Sequence, residues 1–193
     1  LSHNPFKAIV SPRPIGWISS RSSDGFINLA PYSFFNAISE QPPMVMFSSA
    51  PKNEKSLEKD SLLNIKDTEE FVVNIVSYAL REKMNITSKN YPRETNEFEK
   101  AGIEMGQCKT VSVPSIKLAP ASLECKLWKT LTLPERLDGS SATMIMGIVT
   151  GMNIDESVIR HGKIDVTLYQ PIARLGYYDY SYVGDTFSMR RPK

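Results

Sequence analysis

The sequence is poor in the side chains that most often carry catalysis. Its two histidines, His3 and His161, are too few and too far apart to suggest an imidazole metal site. Its two cysteines, Cys108 and Cys125, form no Cys-x-x-Cys pair. That excludes a zinc ribbon and a dithiol redox motif, and favours free thiols in a reducing compartment. A Gly-x-Ser-x-Gly elbow, a Walker loop and a Rossmann glycine fingerprint are all missing. No apolar run approaches the roughly 20 residues that span a bilayer. The first residues are polar, contain Pro5 and do not resemble a secretory signal, so a cytoplasmic location is expected. A strong charge of one sign is lacking too. The formal net charge is +2, which gives no basis for nucleic-acid binding, and Arg190, Arg191 and Lys193 read as a solvated tail.

What is present is ordinary globular material, 41% hydrophobic and 23% charged over 193 residues. It fits one domain over residues 1–193 with a substantial core. If such a chain is an enzyme, a bound cofactor and not a protein side chain must perform the chemistry. No catalytic side chain and no metal ligand set is expected.

Pattern and punctuation predict mostly strands. Ile15 to Ser20 is led in by Pro12 and Pro14, and Asp24-Gly25 marks a hairpin turn between apolar flanks. Met44 to Ser48, Phe71 to Val76 and the alternating Ser122 to Thr132 follow, the last with Leu123, Cys125 and Leu127 on one face. Ala142 to Asn153 is so apolar that both its faces are expected to be covered, one of them in a dimer. Helices are expected over Glu54 to Lys66, Tyr78 to Thr87 and Ile154 to Arg160. A short one is expected after Asn96, ending near Gly102. Glu97 and Glu99 are expected to be solvated on that helix, and His161 to complement a helix end. The class is mainly β (α+β): a largely antiparallel sheet that closes towards a barrel, with short peripheral helices.

Two segments carry the candidate chemistry. Gly25 to Asn36 passes from an apolar strand through Pro31 into Tyr32, Ser33, Phe34, Phe35 and Asn36, with no charge. Aromatic surface beside neutral hydrogen-bonding groups suits a flat, polar-edged ligand. The same composition also fits a buried turn that satisfies its own backbone. Lys59-Asp60-Ser61 sits near a helix start, with Asp60 expected as N-cap and Ser61 in the first turn. Backbone N–H groups, a hydroxyl and an ammonium there would hold a phosphate monoester, and plain capping explains the residues equally well. Ser48 and Ser49 add a second pair of hydroxyls.

The order of these pieces is more specific than any one of them. Arg13-Pro14, Asp24-Gly25, Asn28, Ala30-Pro31-x-Ser33-x-Phe35-Asn36, Pro42-Pro43, Phe47-Ser48, Lys59-Asp60-Ser61 and Glu70-Phe71-Val72-Val73-Asn74 follow one another. Then come Glu97-Phe98-Glu99-x-Ala101-Gly102, Pro171-Ile172-x-Arg174-Leu175-Gly176 and Phe187-x-Met189-x-Arg191-Pro192. Over nearly its whole length the chain resembles the flavin-reductase-like, FMN-binding split-barrel family of flavoredoxins and flavin reductase components.

The resemblance implies a six-stranded antiparallel split β-barrel of Greek-key character, assembled as a homodimer, with FMN near the interface. It implies that Asn28 and Ala30 to Asn36 line the flavin ring and ribityl chain. Ser48, Ser49, Lys59, Asp60 and Ser61 would surround the phosphate, and Arg174 would approach from the C-terminal segment. The implied reaction passes hydride from NAD(P)H to FMN. Electrons then go to a free flavin, a small acceptor or a partner oxygenase. The chain departs from the pattern at Ser61, where threonine is usual, and at Tyr177-Tyr178, where a further glycine is common. Those rings would narrow the donor or acceptor space. An electron carrier reduced by a partner protein, and a split-barrel binding protein without flavin, are the competing expectations.

Overall fold

β-Branched and aromatic residues in alternation put most of the chain into strands. The computed structural model describes residues 1–52 and 58–192. Its main sheet has seven strands, in the order Ile27–Tyr32, Gly16–Arg21, Glu70–Ile75, Ala121–Thr132, Thr143–Ile154, Pro43–Ser49, Phe35–Glu40. Every neighbouring pair is antiparallel. The count is one above the six implied by the resemblance, because Phe35–Glu40 pairs along Pro43–Ser49 as a further edge strand.

The two edge strands, Ile27–Tyr32 and Phe35–Glu40, are joined directly through Ser33 and Phe34. A two-residue link between opposite edges requires the sheet to curl until its ends meet. Ser48 N donates to Phe34 O at 2.9 Å across this junction. The two edges are not paired to each other in the sheet order, so the barrel is split and not closed.

Inside the curl lie Ile18, Phe47, Phe71, Val73, Cys125 and Ile145. Gly147 permits this packing: a Cβ there would stand 2.4 Å from the Phe71 ring. A second core covers the outer face of the first strands with Trp17, Leu29, Met84, Phe98 and Ile172. Polar groups trapped beneath the second core find partners. Trp17 Nε1 donates to Thr87 Oγ1 at 2.9 Å. Asn74 Nδ2 donates to Trp17 O at 3.0 Å, and its oxygen accepts from Ile116 N at 2.8 Å.

Several local expectations are met and several are corrected. The Asp24-Gly25 turn is present, with Gly25 at φ 90°. Asn96 caps Glu97–Lys100 by accepting from Phe98 N. The expected helix from Glu54 is Asp60–Thr68, and residues 54–57 lie outside the described residues. Tyr78 to Thr87 is a 3-10 turn, Tyr78–Leu80, followed by the helix Arg81–Ile86.

No helix runs from Ile154 to Arg160. Ile154 instead extends its strand by pairing with Ala121, and a single 3-10 turn, Glu156–Val158, follows. His161, at φ 52°, then turns a short hairpin between Ile159–Arg160 and Lys163–Ile164, away from any helix end. Thr143–Ile154 buries one face only: Met144, Met146 and Ile148 are half-exposed on the other.

Candidate functional site

The edge strand Ile27–Tyr32 and the helix Asp60–Thr68 converge on one narrow cleft. Asn28, Ala30, Pro31 and Tyr32 line it from the strand, and Lys59, Asp60 and Ser61 from the helix tip. The neutral bend and the hydroxyl-bearing helix end therefore face the same space. They also touch: the Asn28 side-chain amide meets Ser61 Oγ at 2.7 Å. With its oxygen turned to Ser61, the Asn28 nitrogen donates to Glu97 Oε1 at 3.3 Å.

Lys59, not Asp60, is the N-cap, and Asp60 is the first helical residue. The Asp60 side chain makes no cap hydrogen bond and pairs instead with Lys52 and Arg93. Leu62 N and Leu63 N donate to Lys59 O, so among the described residues the Asp60 and Ser61 N–H groups remain at the helix start, together with its positive dipole end. Lys59 Nζ stands 5.5 Å from the Tyr32 ring centroid. Burial, and secondarily Lys52, lower the Lys59 pKa.

Among the described residues two buried hydroxyls at this tip, Tyr32 Oη and Ser49 Oγ, make no well-formed hydrogen bond, although Ser49 and Ser61 lie near enough to the phenol to act on its pKa. Burial chiefly pushes the Tyr32 phenol upward, outweighing the lowering by the Ser61 and Ser49 hydroxyls, and Asp60 and Glu97 add to the rise, so it stays a neutral donor. Buried polar atoms without partners are uncommon and mark places where a ligand completes the bonding. A hydroxyl, an ammonium and a helix N-terminus at one place are the chemistry that holds an anionic, many-oxygened group.

Glu97 forms the floor. It is 6% exposed, and its Oε2 accepts from Leu29 N at 3.0 Å. The expectation of a solvated Glu97 is therefore corrected, because Glu97–Lys100 packs against the Ile27–Tyr32 strand and turns this carboxyl inward. Burial raises its pKa to about 7.

The other expected residues divide. Pro31 and Ser88 also line a neighbouring cleft of about 390 Å³, which contains Ser33 and Arg174. Ser49 lines a third cleft, of about 220 Å³, on the other side of Lys59. Ser48 is half-buried within its strand. Phe34 is exposed beneath the Arg13 guanidinium, 5.8 Å from its ring centroid. Phe35 packs on the inner core, and Asn36 is exposed in a paired strand, its own Oδ1 accepting from Ala37 N.

Residues that sequence patterns did not single out complete the narrow cleft: Lys52, Thr87, Ser88, Lys89, Asn90 and Tyr91. For Thr87 to Tyr91 the signal was the density of hydroxyl, amide and ammonium groups just after the Arg81–Ile86 helix; Lys52 carried none. Among the described residues no group of three His, Cys, Asp or Glu side chains is placed to hold a metal. Both cysteines are free, and burial raises the Cys108 pKa to about 11. No described helix is long and apolar enough to cross a membrane.

Comparison with known proteins gives this arrangement its context. The family model of the flavin reductase like domain matches residues 10–184. An uncharacterized protein of Aquifex aeolicus is 41% identical over 87% of this chain and 83% of its own length. Nitrilotriacetate monooxygenase component B from Bacillus cereus superimposes with a TM-score of 0.89 at 28% identity, over 98% of both chains. The 2-nitrobenzoate 2-nitroreductase of Pseudomonas fluorescens does so with a TM-score of 0.83 at 32% identity, over 97% of this chain and 88% of that one.

Proposed function

The chain belongs to the family of the flavin reductase like domain, and from that premise we propose that it is an FMN-dependent oxidoreductase drawing on NAD(P)H. A free flavin, a small acceptor or a partner oxygenase takes the electrons. The observation that carries this is the shared cleft: a neutral strand end and a hydroxyl-lined helix tip in contact, with the Tyr32 ring and the Lys59 ammonium beside them.

In this proposal Lys59, Ser61, Ser49 and the first N–H groups of Asp60–Thr68 hold the phosphate. Asn28 and Ala30 to Ser33 receive the ribityl chain and the ring edge, and Arg174 closes the site from the C-terminal segment. Bound FMN supplies the hydride acceptance and the electron delivery. The protein groups position and desolvate. Asn28 is clamped between Ser61 and Glu97, so its amide is oriented before any ligand arrives. No side chain has to act as general base, which agrees with the scarcity of histidine and with the absence of a nucleophile elbow from the sequence. A homodimer, one domain spanning residues 1–193 and a cytoplasmic setting belong to the same proposal.

The test is a visible spectrum of the purified protein followed by stopped-flow mixing with excess NADH or NADPH. A yellow protein bleached by either nucleotide is expected. A colourless protein that takes up no added FMN would overturn the cofactor assignment, and a yellow protein that neither nucleotide bleaches would overturn the donor. One feature favours the second reading, a carrier reduced by another protein. Tyr177 and Tyr178, 51% and 91% exposed, stand at the cleft beside Arg174 and narrow the approach of a nicotinamide.

A further inference from the structure

The cleft of about 390 Å³ next to the narrow one has a wall made of cations and aromatics. Lys7, Arg13, Arg174, Tyr178 and Tyr180 line it, and no carboxylate does. Arg13 and Arg174 face each other as directly paired residues of the Arg13–Pro14 and Ile172–Arg174 strands. Arg13 is 5% exposed, and its terminal nitrogens donate only to neutral carbonyls, those of Lys7, Val10 and Leu175. Among the described residues its Nε has no partner. Burial first, and the Arg174 charge second, lower the Arg13 pKa. Among the described residues neither arginine forms an ion pair. Two adjacent guanidiniums, one of them buried, are unfavourable without an anion, since buried charges are otherwise paired.

The surroundings indicate what kind of anion. Arg174 stacks on Tyr180, 4.4 Å from the ring centroid, and also donates to the Tyr180 hydroxyl and to Tyr177 O. These bonds fix the plane of the fork and leave its other N–H donors uncommitted. Tyr177 holds its carbonyl on Arg174 from φ 55°, a left-handed conformation that is costly for a residue with a side chain. Beyond Arg174 the cleft opens into a second space of about 390 Å³, walled by Tyr78 and Tyr182, with the Arg81–Glu82 ion pair at its rim, and sharing Met84, Tyr178 and Tyr180 with the first. Flat apolar faces with a fixed guanidinium fork at their junction match a ring that carries a planar anion.

We propose that the Arg13–Arg174 cleft is a binding subsite for a single-ring aromatic carboxylate, its carboxylate on the Arg174 fork and its ring among Tyr178, Tyr180 and Met84. The cleft shares Pro31, Ser33 and Arg174 with the residues proposed for FMN, so the acid would lie beside the flavin; its binding is argued from the Arg13–Arg174 wall, and its role as a substrate rests on the proposed function. The probe is benzoate, titrated into the protein by calorimetry, with benzamide as the neutral isostere and inorganic phosphate as an anion without a ring.

Saturable benzoate binding at least tenfold tighter than either control is expected. Arg174→Gln should weaken it about tenfold or more. Tyr178→Ala should weaken it severalfold, and because Tyr178 is 91% exposed, its truncation leaves the fold intact. Absence of saturable benzoate binding, equal binding of benzamide or phosphate, or indifference to both substitutions would overturn the subsite. FMN binding, read by fluorescence quenching in the same samples, separates the two claims. Benzoate bound without FMN defeats the proposed function and upholds the subsite, and FMN bound without benzoate does the reverse.

Discussion

Two buried carboxyls show how environment sets opposite behaviour in one residue type. Glu97 has two backbone donors, Leu29 N and its own N–H, and an amide contact from Asn28, with Asp60 nearby and Lys52 as the facing cation. Burial outweighs these bonds and lifts its pKa from 4.5 to about 7. Between those values the native chain holds more protons than the unfolded chain, so stability falls as pH rises through the window. Glu97→Gln removes the titration and keeps an acceptor for Leu29 N. The variant should gain on the wild type by about 2–3 kcal/mol between pH 5 and pH 8, measured as urea unfolding of apoprotein at both values. A constant difference across that range would refute the assignment. Glu124, 1% exposed, is the reverse case. It accepts from Lys109 N, Thr110 N, Thr110 Oγ1 and Asn153 Nδ2. These donors overcome burial and hold its pKa at about 2. Its contribution is full above the unfolded value of 4.5 and is lost as pH falls towards 2. Glu124→Gln should therefore cost about 3 kcal/mol at pH 7 and distinctly less at pH 3.5, read from the same unfolding curves.

Elements stabilised by local chemistry were legible in the sequence; those decided by distant partners were not. Asp24-Gly25 identifies its hairpin because only positive φ closes that turn, and the alternation of Leu123, Cys125 and Leu127 identifies a half-buried strand. Ile154 to Arg160 has the composition of a short helix, but Ala121 across the sheet keeps Ile154 extended, and no local signal reports that pairing. Glu97 was misplaced for the same reason. A carboxylate in a four-residue helix reads as solvated until Leu29, far away in sequence, is packed beneath it. At the site, Asn28, Tyr32, Lys59 and Ser61 stood out by type and order, whereas Lys52 and Thr87 to Tyr91 enter only through the curl of the sheet. Gly147 tests how tightly that curl is set. It lies at a register shift beside Lys126 O, and an added methyl would overlap the Phe71 ring. Gly147→Ala should destabilise by about 1–3 kcal/mol, the usual cost of overpacking, seen as a lower thermal midpoint. An unchanged midpoint would mean that the two strands part more easily than their packing implies.

At the scale of the molecule, the unresolved demand is the outer face of the central strands. Thr143–Ile154 turns Ile145 and Gly147 inward and leaves Met144, Met146 and Ile148 half-exposed. Across the pairing, Met146 lies opposite Met46 and Ile148 opposite Met44, so the methionines form one continuous apolar strip. On the neighbouring strand Trp128 and Leu131 are 56% and 46% exposed, and Met152, further along, is 57% exposed. Contiguous apolar surface of this kind marks an interaction face, and methionine suits one that must adapt to a copy of itself. A two-fold partner would bury the strip against its own equivalent. The proposed homodimer thus supplies the second covering that the composition of Thr143–Ile154 calls for, a covering the single chain does not provide. Sedimentation velocity should find a dimer at micromolar concentration. The double substitution Met46→Lys and Met146→Lys should give a folded monomer, because each lysine points outward and leaves the Ile145–Phe47 core untouched. If the wild type sediments as a monomer, or the double variant remains dimeric with an unchanged dissociation constant, this face is not where the two copies meet.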